Sequence, residues 1–353
     1  MESINTNEAT GTMPPEKQPP FEIYEGKGAS GRALPDPRRF PSLNHPGLYV
    51  AGRGLRDAVN VALALGQPLL VTGEPGTGKT DLATSIAYEF DLNLEKFVAK
   101  TTSTSTDLFY QYDALRHFND ITIRQHTHHQ GLSDLNNSDV KTENYIEYRA
   151  LGRAILLSQS QDIARKHLSN AEGAPRRSVV LIDEIDKAPR DFPNDLLDEI
   201  ARMEFTVKEL TEKEAQRTFT APNDKRPVVV ITSNSENDLP EPFLRRCVFY
   251  HIGPPSDETL KEILQKRLGA DPALTDAAVL MFKEICQLGL RKKPATAELI
   301  DWVRLLQRRE TQAAQVTARD QTALGPTLPA LVKTKEDLDM VCMILRESKP
   351  SPH

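Results

Sequence analysis

The sequence is poor in cysteine, has a single tryptophan and contains no long apolar run. Its three cysteines, Cys247, Cys286 and Cys342, are scattered over 353 residues. Their odd number and wide spacing exclude a disulfide framework and a paired-cysteine zinc site, and they read as free thiols of a reducing cytoplasm. No stretch approaches the ~18 consecutive apolar residues of a membrane-spanning helix, so no membrane role is expected. The opening "MESINTNEATGTMPPEKQPP" lacks a basic start followed by an apolar core, so it does not read as a secretion signal. An excess of positive charge is missing too. Against 44 Lys and Arg stand 50 Asp and Glu, a formal net charge of -6. That balance argues against a dedicated nucleic-acid binder, although a local basic patch is compatible with it. Histidine is also sparse. His126, His128 and His129 in "RQHTHHQ" have no spaced partner set for a metal and read as solvated surface.

What is present is concentrated in "LLVTGEPGTGKTDLA", residues 69–83. Gly73-Glu74-Pro75-Gly76-Thr77-Gly78-Lys79-Thr80 fits the spacing G-x-x-x-x-G-K-S/T. Glycines at this spacing let backbone N–H groups converge on phosphate oxygens. Lys79 reaches the β- and γ-phosphates, and Thr80 can ligate Mg²⁺. The flanks suit this reading: an apolar strand runs into the loop and a helical pattern over 81–90 follows. That helix would aim its N-terminus at the anion.

Along the chain, residues 1–45 are rich in Pro, Gly, Glu and Lys and read as a flexible N-terminal arm. Arg32, Arg38 and Arg39 in this arm suit docking on a domain better than a nucleic-acid contact. A core follows over 46–253. "GLRDAVNVALAL" is helical and ends at Gly66-Gln67-Pro68, and "LEKFVAK" is a second strand. The polar stretch 119–147 reads as an insertion or long loop. Residues 145–167 have amphipathic helical spacing. "FTVKEL" and "RTFTA" can pair as a hairpin, and "RPVVVITSN" is a further buried strand. Strands alternating with helices predict an α/β fold, a parallel sheet between helices. Residues 254–353 show successive helical patterns without strands and read as a smaller all-helical lid with C-terminal helices. Trp302 and Leu305 are expected in its core.

The phosphate loop needs a second half. "VVLIDEID" supplies it, with Val179 to Ile182 as a strand buried on both faces. Asp183 at its end can support Mg²⁺, and Glu184 can polarise an attacking water, a hydrolase pattern. The third buried strand ends at Asn234, an amide able to bond the γ-phosphate or the lytic water. Arg245 and Arg246 follow, and arginine stabilises a transferring phosphoryl group, also when supplied in trans. Phe109, Tyr110 and Tyr112 in "TSTSTDLFYQYDAL" allow two readings, a grip on a polypeptide or packing beneath the insertion.

"GEPGTGKT", "VVLIDEID", "ITSN" and "LPEPFLRRC", in this order, resemble the AAA+ ATPases. "ALGQPLLVTGEPGTGKT", "LIDEIDKAPRDFPNDLL" and "LRKKPATAELIDWVRLL" resemble more specifically the MoxR and dynein-related branch, over roughly residues 47–310. The resemblance implies a P-loop ATPase core, a helical lid and a homo-oligomeric, usually hexameric ring with ATP at its interfaces. It makes Asn234 the sensor-1 residue and Arg245 or Arg246 the arginine finger. It puts the lid's basic residue within Arg291, Lys292 and Lys293, where R-K-K-P departs from the usual arginine-bearing turn. The implied activity is Mg²⁺-dependent ATP hydrolysis coupled to remodelling or assembly of a protein partner, often one with a von Willebrand A domain. Two other readings stay open. One is the motor subunit of a nucleic-acid-acting restriction or defence complex, using ATP or, as in the McrB-like relatives, GTP. The other is a low-turnover nucleotide-gated scaffold.

Overall fold

The computed structural model describes residues 45–129, 141–210, 217–235 and 239–347, without the side chains of 124–129 and 346–347. Residues 1–44 of the arm with its three arginines, the three histidine side chains of "RQHTHHQ" and residues 130–140 of the polar stretch lie outside this description. Nine strands are described: β1 Leu69–Gly73, β2 Asn93–Val98, β3 Tyr110–Tyr112, β4 Ile146–Tyr148, β5 Ser178–Asp183, β6 Glu204–Thr206, β7 Thr218–Thr220, β8 Val228–Ser233 and β9 Val248–Ile252. The first helices are α1 Arg53–Leu65, α2 Lys79–Glu89, α3 Ala114–His129, α4 Ala150–Leu157 and α5 Gln161–His167. Three short ones follow, α6 Phe192–Asp195, α7 Leu197–Arg202 and α8 Glu241–Leu244. The chain then turns wholly helical, with α9 Asp257–Leu268, α10 Pro272–Gln287, α11 Thr296–Arg308, α12 Ala313–Thr317, α13 Gln321–Leu324, α14 Leu328–Leu331 and α15 Lys335–Glu347.

Five strands form one parallel sheet in the order β2-β5-β8-β1-β9. Its three inner strands, β1, β5 and β8, are near-continuous aliphatic runs because both their faces are covered, as in buried parallel sheets. Successive side chains point to opposite faces. Leu69, Val71, Val179, Leu181 and Val230 pack with Leu55 and Ala62 of α1 and Leu82, Ala83 and Ile86 of α2. Leu70, Val180, Ile182, Val229 and Ile231 pack on the other face, with Leu151, Ala154 and Ile155 of α4. The predicted α/β architecture with a helical C-terminal region is therefore what the chain adopts. Helix α1 ends as its sequence demands: Gly66 takes the left-handed conformation at φ 62° and its N–H caps the Ala62 carbonyl.

Of the described residues, 45–263 and 295–297 form one compact unit, and 264–294 with 298–347 form the other. In the second, the fully buried Trp302 donates its indole N–H to Thr327 Oγ1 at 2.9 Å, whereas Leu305 is half-buried. No helix among the described residues is long and apolar enough to cross a membrane.

Several local expectations are corrected. The polar stretch read as a loop continues helix α3 through His129, and its far end forms β4, which pairs antiparallel with β3. Residues 145–167 are not one amphipathic helix. Helix α4 is buried on nearly every side and stops at Ser158, whose hydroxyl turns back to the Ile155 carbonyl at 2.6 Å, before α5 begins. "VFYHI" is the edge strand β9, which pattern reading missed. The hairpin of "FTVKEL" and "RTFTA" is present as β6 and β7.

The aromatic pair Phe109 and Tyr110 is buried, which corrects the polypeptide-grip reading for them. Phe109 stacks on Phe205 at 5.4 Å between ring centroids, and Tyr110 Oη accepts the Lys208 N–H at 3.0 Å. Tyr112 is half-buried, with its hydroxyl 2.6 Å from His117 Nδ1.

Candidate active site

Parallel strands bring their carboxyl ends to one edge of the sheet, where ligands of open α/β sheets bind. Strand β8 lies between β1 and β5. That order sets the loop after Gly73, the end of β8 and the Asp183-Glu184 pair side by side. The loop needs its glycines. At Gly73, with φ 149°, an added Cβ would stand 2.6 Å from the Ile252 carbonyl oxygen; Gly78, at φ 85°, is the left-handed cap of α2. The N-terminus of α2 thus opens at Lys79, as an anion site requires.

Lys79 is buried and its ammonium donates to the carbonyls of Gly73 at 2.7 Å and Glu74 at 3.0 Å, and to Asn234 Oδ1 at 3.0 Å. Burial lowers its pKa below the ordinary 10.5, against the opposing pull of Asp186, Asp183 and Glu184. Thr80 Oγ1 donates to the Asp183 carboxylate at 3.0 and 3.1 Å. Glu184 has a left-handed backbone at φ 57°, uncommon for a residue with a side chain. Its carboxylate pairs with Lys187 Nζ at 2.6 Å. Asn234 is anchored by Asp186, which accepts its backbone N–H at 3.2 Å and its side-chain amide at 3.4 Å.

Residues 69–253 match the family model of the ATPase family associated with various cellular activities (AAA). The chain belongs to the AAA family. It is therefore an ATP-hydrolysing P-loop enzyme. Among solved structures, the Thermotoga maritima RuvB Holliday junction branch migration motor is similar at 16% identity and a TM-score of 0.42, over 81% of this chain and 70% of that one. A mutant of the same protein gives 15% and 0.41, over 83% and 68%. No curated protein matches the sequence.

In this AAA chain Arg245 and Arg246 lie apart from the loop. Arg245 and Arg246 are exposed and precede β9, whose first residue, Val248, pairs with Leu69 at the start of β1. They therefore flank the amino edge of the sheet, opposite the loop. Arg245 pairs with Glu241, and Arg246 Nη1 lies 3.5 Å from Asp198. A cavity of about 410 Å³ at this edge is lined by Leu65, Phe243, Arg226, Arg245, Arg246 and Cys247. The Cys247 thiol is pushed up to about 12 by burial, which suits an unreactive free cysteine. Arg291, Lys292 and Lys293 are exposed and belong to the helical unit, where the buried Asp337 accepts the backbone N–H groups of Arg291 and Lys292 at 2.9 and 3.2 Å.

The residues suit Mg²⁺. Hydroxyl and carboxylate oxygens are hard donors, and Thr80 and Asp183 already touch. Among the described residues no cluster of three or more His, Cys, Asp or Glu is available as a metal cage. Mg²⁺ needs none, being held through one or two protein oxygens and substrate phosphates. Sequence reasoning missed Thr232, Asp186 and Lys187. Only Lys187 and Asp186, inside "DEIDK", carried any local signal.

Proposed function

We propose that this AAA ATPase is a Mg²⁺-dependent member of the MoxR and dynein-related branch, working as a ring, usually a hexamer, in the cytoplasm. Hydrolysis then drives remodelling or assembly of a partner protein, and a von Willebrand A-domain protein is the partner the branch suggests. The observation that carries the catalytic part is the convergence of Lys79, Thr80, Asp183, Glu184 and Asn234 at one sheet edge. The branch rests on the three sequence stretches that resemble it.

In this reading the backbone of Gly73 to Thr80, including Glu74, Pro75, Gly76, Thr77 and Gly78, cradles the phosphates. The Lys79 ammonium exchanges the Gly73 and Glu74 carbonyls for phosphate oxygens. Mg²⁺, when bound, would neutralise charge on the β- and γ-phosphates, and Thr80 and Asp183 would hold it. Glu184 releases Lys187 and orients the attacking water. Asn234 fixes the water or the γ-phosphate, and Arg245 or Arg246 of one subunit reaches the site of the next. Arg291, Lys292 or Lys293 adds a cation from a lid within 254–353, beside a core of 46–253 and an arm of 1–45.

Steady-state ATPase assays with Mg²⁺, alone and with duplex DNA, RNA or a co-purified protein, test the proposal. Stimulation by protein alone is the expected result. Stimulation by nucleic acid alone would move the function to a nucleic-acid motor, and failure of any addition to raise turnover would favour a scaffold.

A further inference from the structure

Asp183 ends strand β5 and Glu184 follows it, yet a residue of the neighbouring strand holds both. Thr232 is fully buried near the end of β8. Its hydroxyl donates to Asp183 Oδ1 at 2.5 Å and accepts the backbone N–H of Glu184 at 2.9 Å. A hydroxyl has one proton and two lone pairs, so a single group can serve both partners at once. The first bond leaves Asp183 gripped from two sides, by Thr232 and by Thr80. The second pins the peptide of Glu184 at φ 57°, and this left-handed turn sets the direction in which the Glu184 side chain leaves the strand.

We infer that Thr232 is a positioning residue for both carboxylates, coupling the metal-supporting Asp183 to the water-orienting Glu184 through one buried hydroxyl. The inference rests on the roles proposed above for those two residues. A buried hydroxyl that merely satisfied two polar neighbours would affect stability. One that aims them affects turnover and metal dependence, and leaves metal-free nucleotide binding alone, because its hydroxyl bonds Asp183 and Glu184 and neither Lys79 nor the loop backbone.

The test compares Thr232→Val, nearly equal in shape, with Thr232→Ser, which keeps the hydroxyl. Thr232→Ala serves in place of the valine variant if that does not fold. The hydroxyl-free variant is expected to lose about 10- to 100-fold in kcat and to need several-fold more Mg²⁺ for half-maximal rate, the usual effect of removing an outer-shell partner. A fluorescent ATP analogue in EDTA should bind with unchanged Kd, and its Mg²⁺-induced gain in affinity should shrink. Thr232→Ser should restore all three. Wild-type kcat and Mg²⁺ dependence without the hydroxyl would overturn the inference, as would a serine variant as impaired as the valine one. Asp183→Asn and Glu184→Gln run beside these. If they leave Mg²⁺ dependence and turnover intact, the proposed roles of the carboxylates fail, whatever Thr232 does.

Discussion

The Lys79 ammonium stands 3.0 Å from Asn234 Oδ1, so two side chains proposed to face the γ-phosphate are bonded to each other. The contact joins the start of α2 to the residue after β8, 155 positions further along the chain. Beyond it Asp186 holds Asn234. The edge proposed to bind nucleotide therefore carries a line of three polar side chains, Lys79, Asn234 and Asp186.

Lys79→Met is expected to abolish ATP binding without destabilising the nucleotide-free protein. The sign follows from linkage. Burial lowers the folded pKa of Lys79 below its ordinary 10.5, so the fold disfavours the ammonium that the unfolded chain carries. The penalty is complete below the folded pKa and fades as pH rises from there towards 10.5. Removing the charge should leave Tm at pH 7 equal or higher by differential scanning fluorimetry. A fall of more than about 4 °C, on the order of 3 kcal/mol for a chain of this size, would mean that the three hydrogen bonds of Lys79 outweigh burial. In the wild type, ATP affinity should weaken as pH climbs through the lowered pKa, before 10.5 is reached.

Asp186→Ala is expected to lower kcat by about 10- to 100-fold, the scale on which small misplacement of a catalytic group acts. KM for ATP should change less than kcat, because Asp186 hydrogen-bonds Asn234 and acts on Lys79 only through its charge. Asp186→Asn, which keeps an acceptor for the Asn234 N–H, should fall between. Steady-state kinetics on the two variants decide it; equal kcat in all three proteins would remove Asp186 from the line.

What was legible in the sequence is what is local. The glycines and Lys79 lie within eight consecutive residues, and the chemistry of a phosphate cradle needs that spacing. Asp183 and Glu184 end an unbroken aliphatic run, so their place at a strand terminus follows. Thr232 was invisible because its value comes from strand order. A threonine in "VITSN" is an ordinary strand residue until β8 is set between β5 and β1. Strand β9 escaped because "VFYHI" is five residues long, follows a four-residue helix and is half-exposed along an edge, with no periodicity long enough to register. Phe109 and Tyr110 were ambiguous because aromatic residues in a Ser/Thr-rich loop look alike whether exposed or buried. Their partners Phe205 and Lys208 lie about a hundred residues away.

Gly152→Ala is expected to be severe although it exchanges one helix residue for a better helix former. The methyl would stand 2.0 Å from the Phe109 carbonyl oxygen and 2.8 Å from its carbon. Both are backbone atoms of a segment fixed by the Arg149 N–H bond to the same oxygen at 2.8 Å. Helix α4 would have to move off that segment, and overpacking of this kind costs about 1–3 kcal/mol or more. The protein should lose Tm or become insoluble; a wild-type melting curve would show that α4 and the Phe109 segment separate freely.

Leu69 pairs with Val248 and Gly73 with Ile252, in parallel register. Four residues at ~3.3 Å each separate the two edges of this pair by about 13 Å, and Arg245 and Arg246 lie further out still. Neither guanidinium can meet a phosphate in its own loop without dismantling β9, whereas both are exposed for a neighbour. Their present partners do not hold them firmly, because exposed ion pairs such as Arg245–Glu241 and Arg246–Asp198 are worth about 0–1 kcal/mol. Replacing both by alanine should therefore leave the fold intact and the enzyme inactive. Mixed with Lys79→Ala subunits, which are also inactive alone, this double variant should recover part of the ATPase activity. Some interfaces then combine an intact cradle with an intact arginine. Mass photometry checks whether rings form and mix. Mixed rings no more active than either parent would refute action in trans.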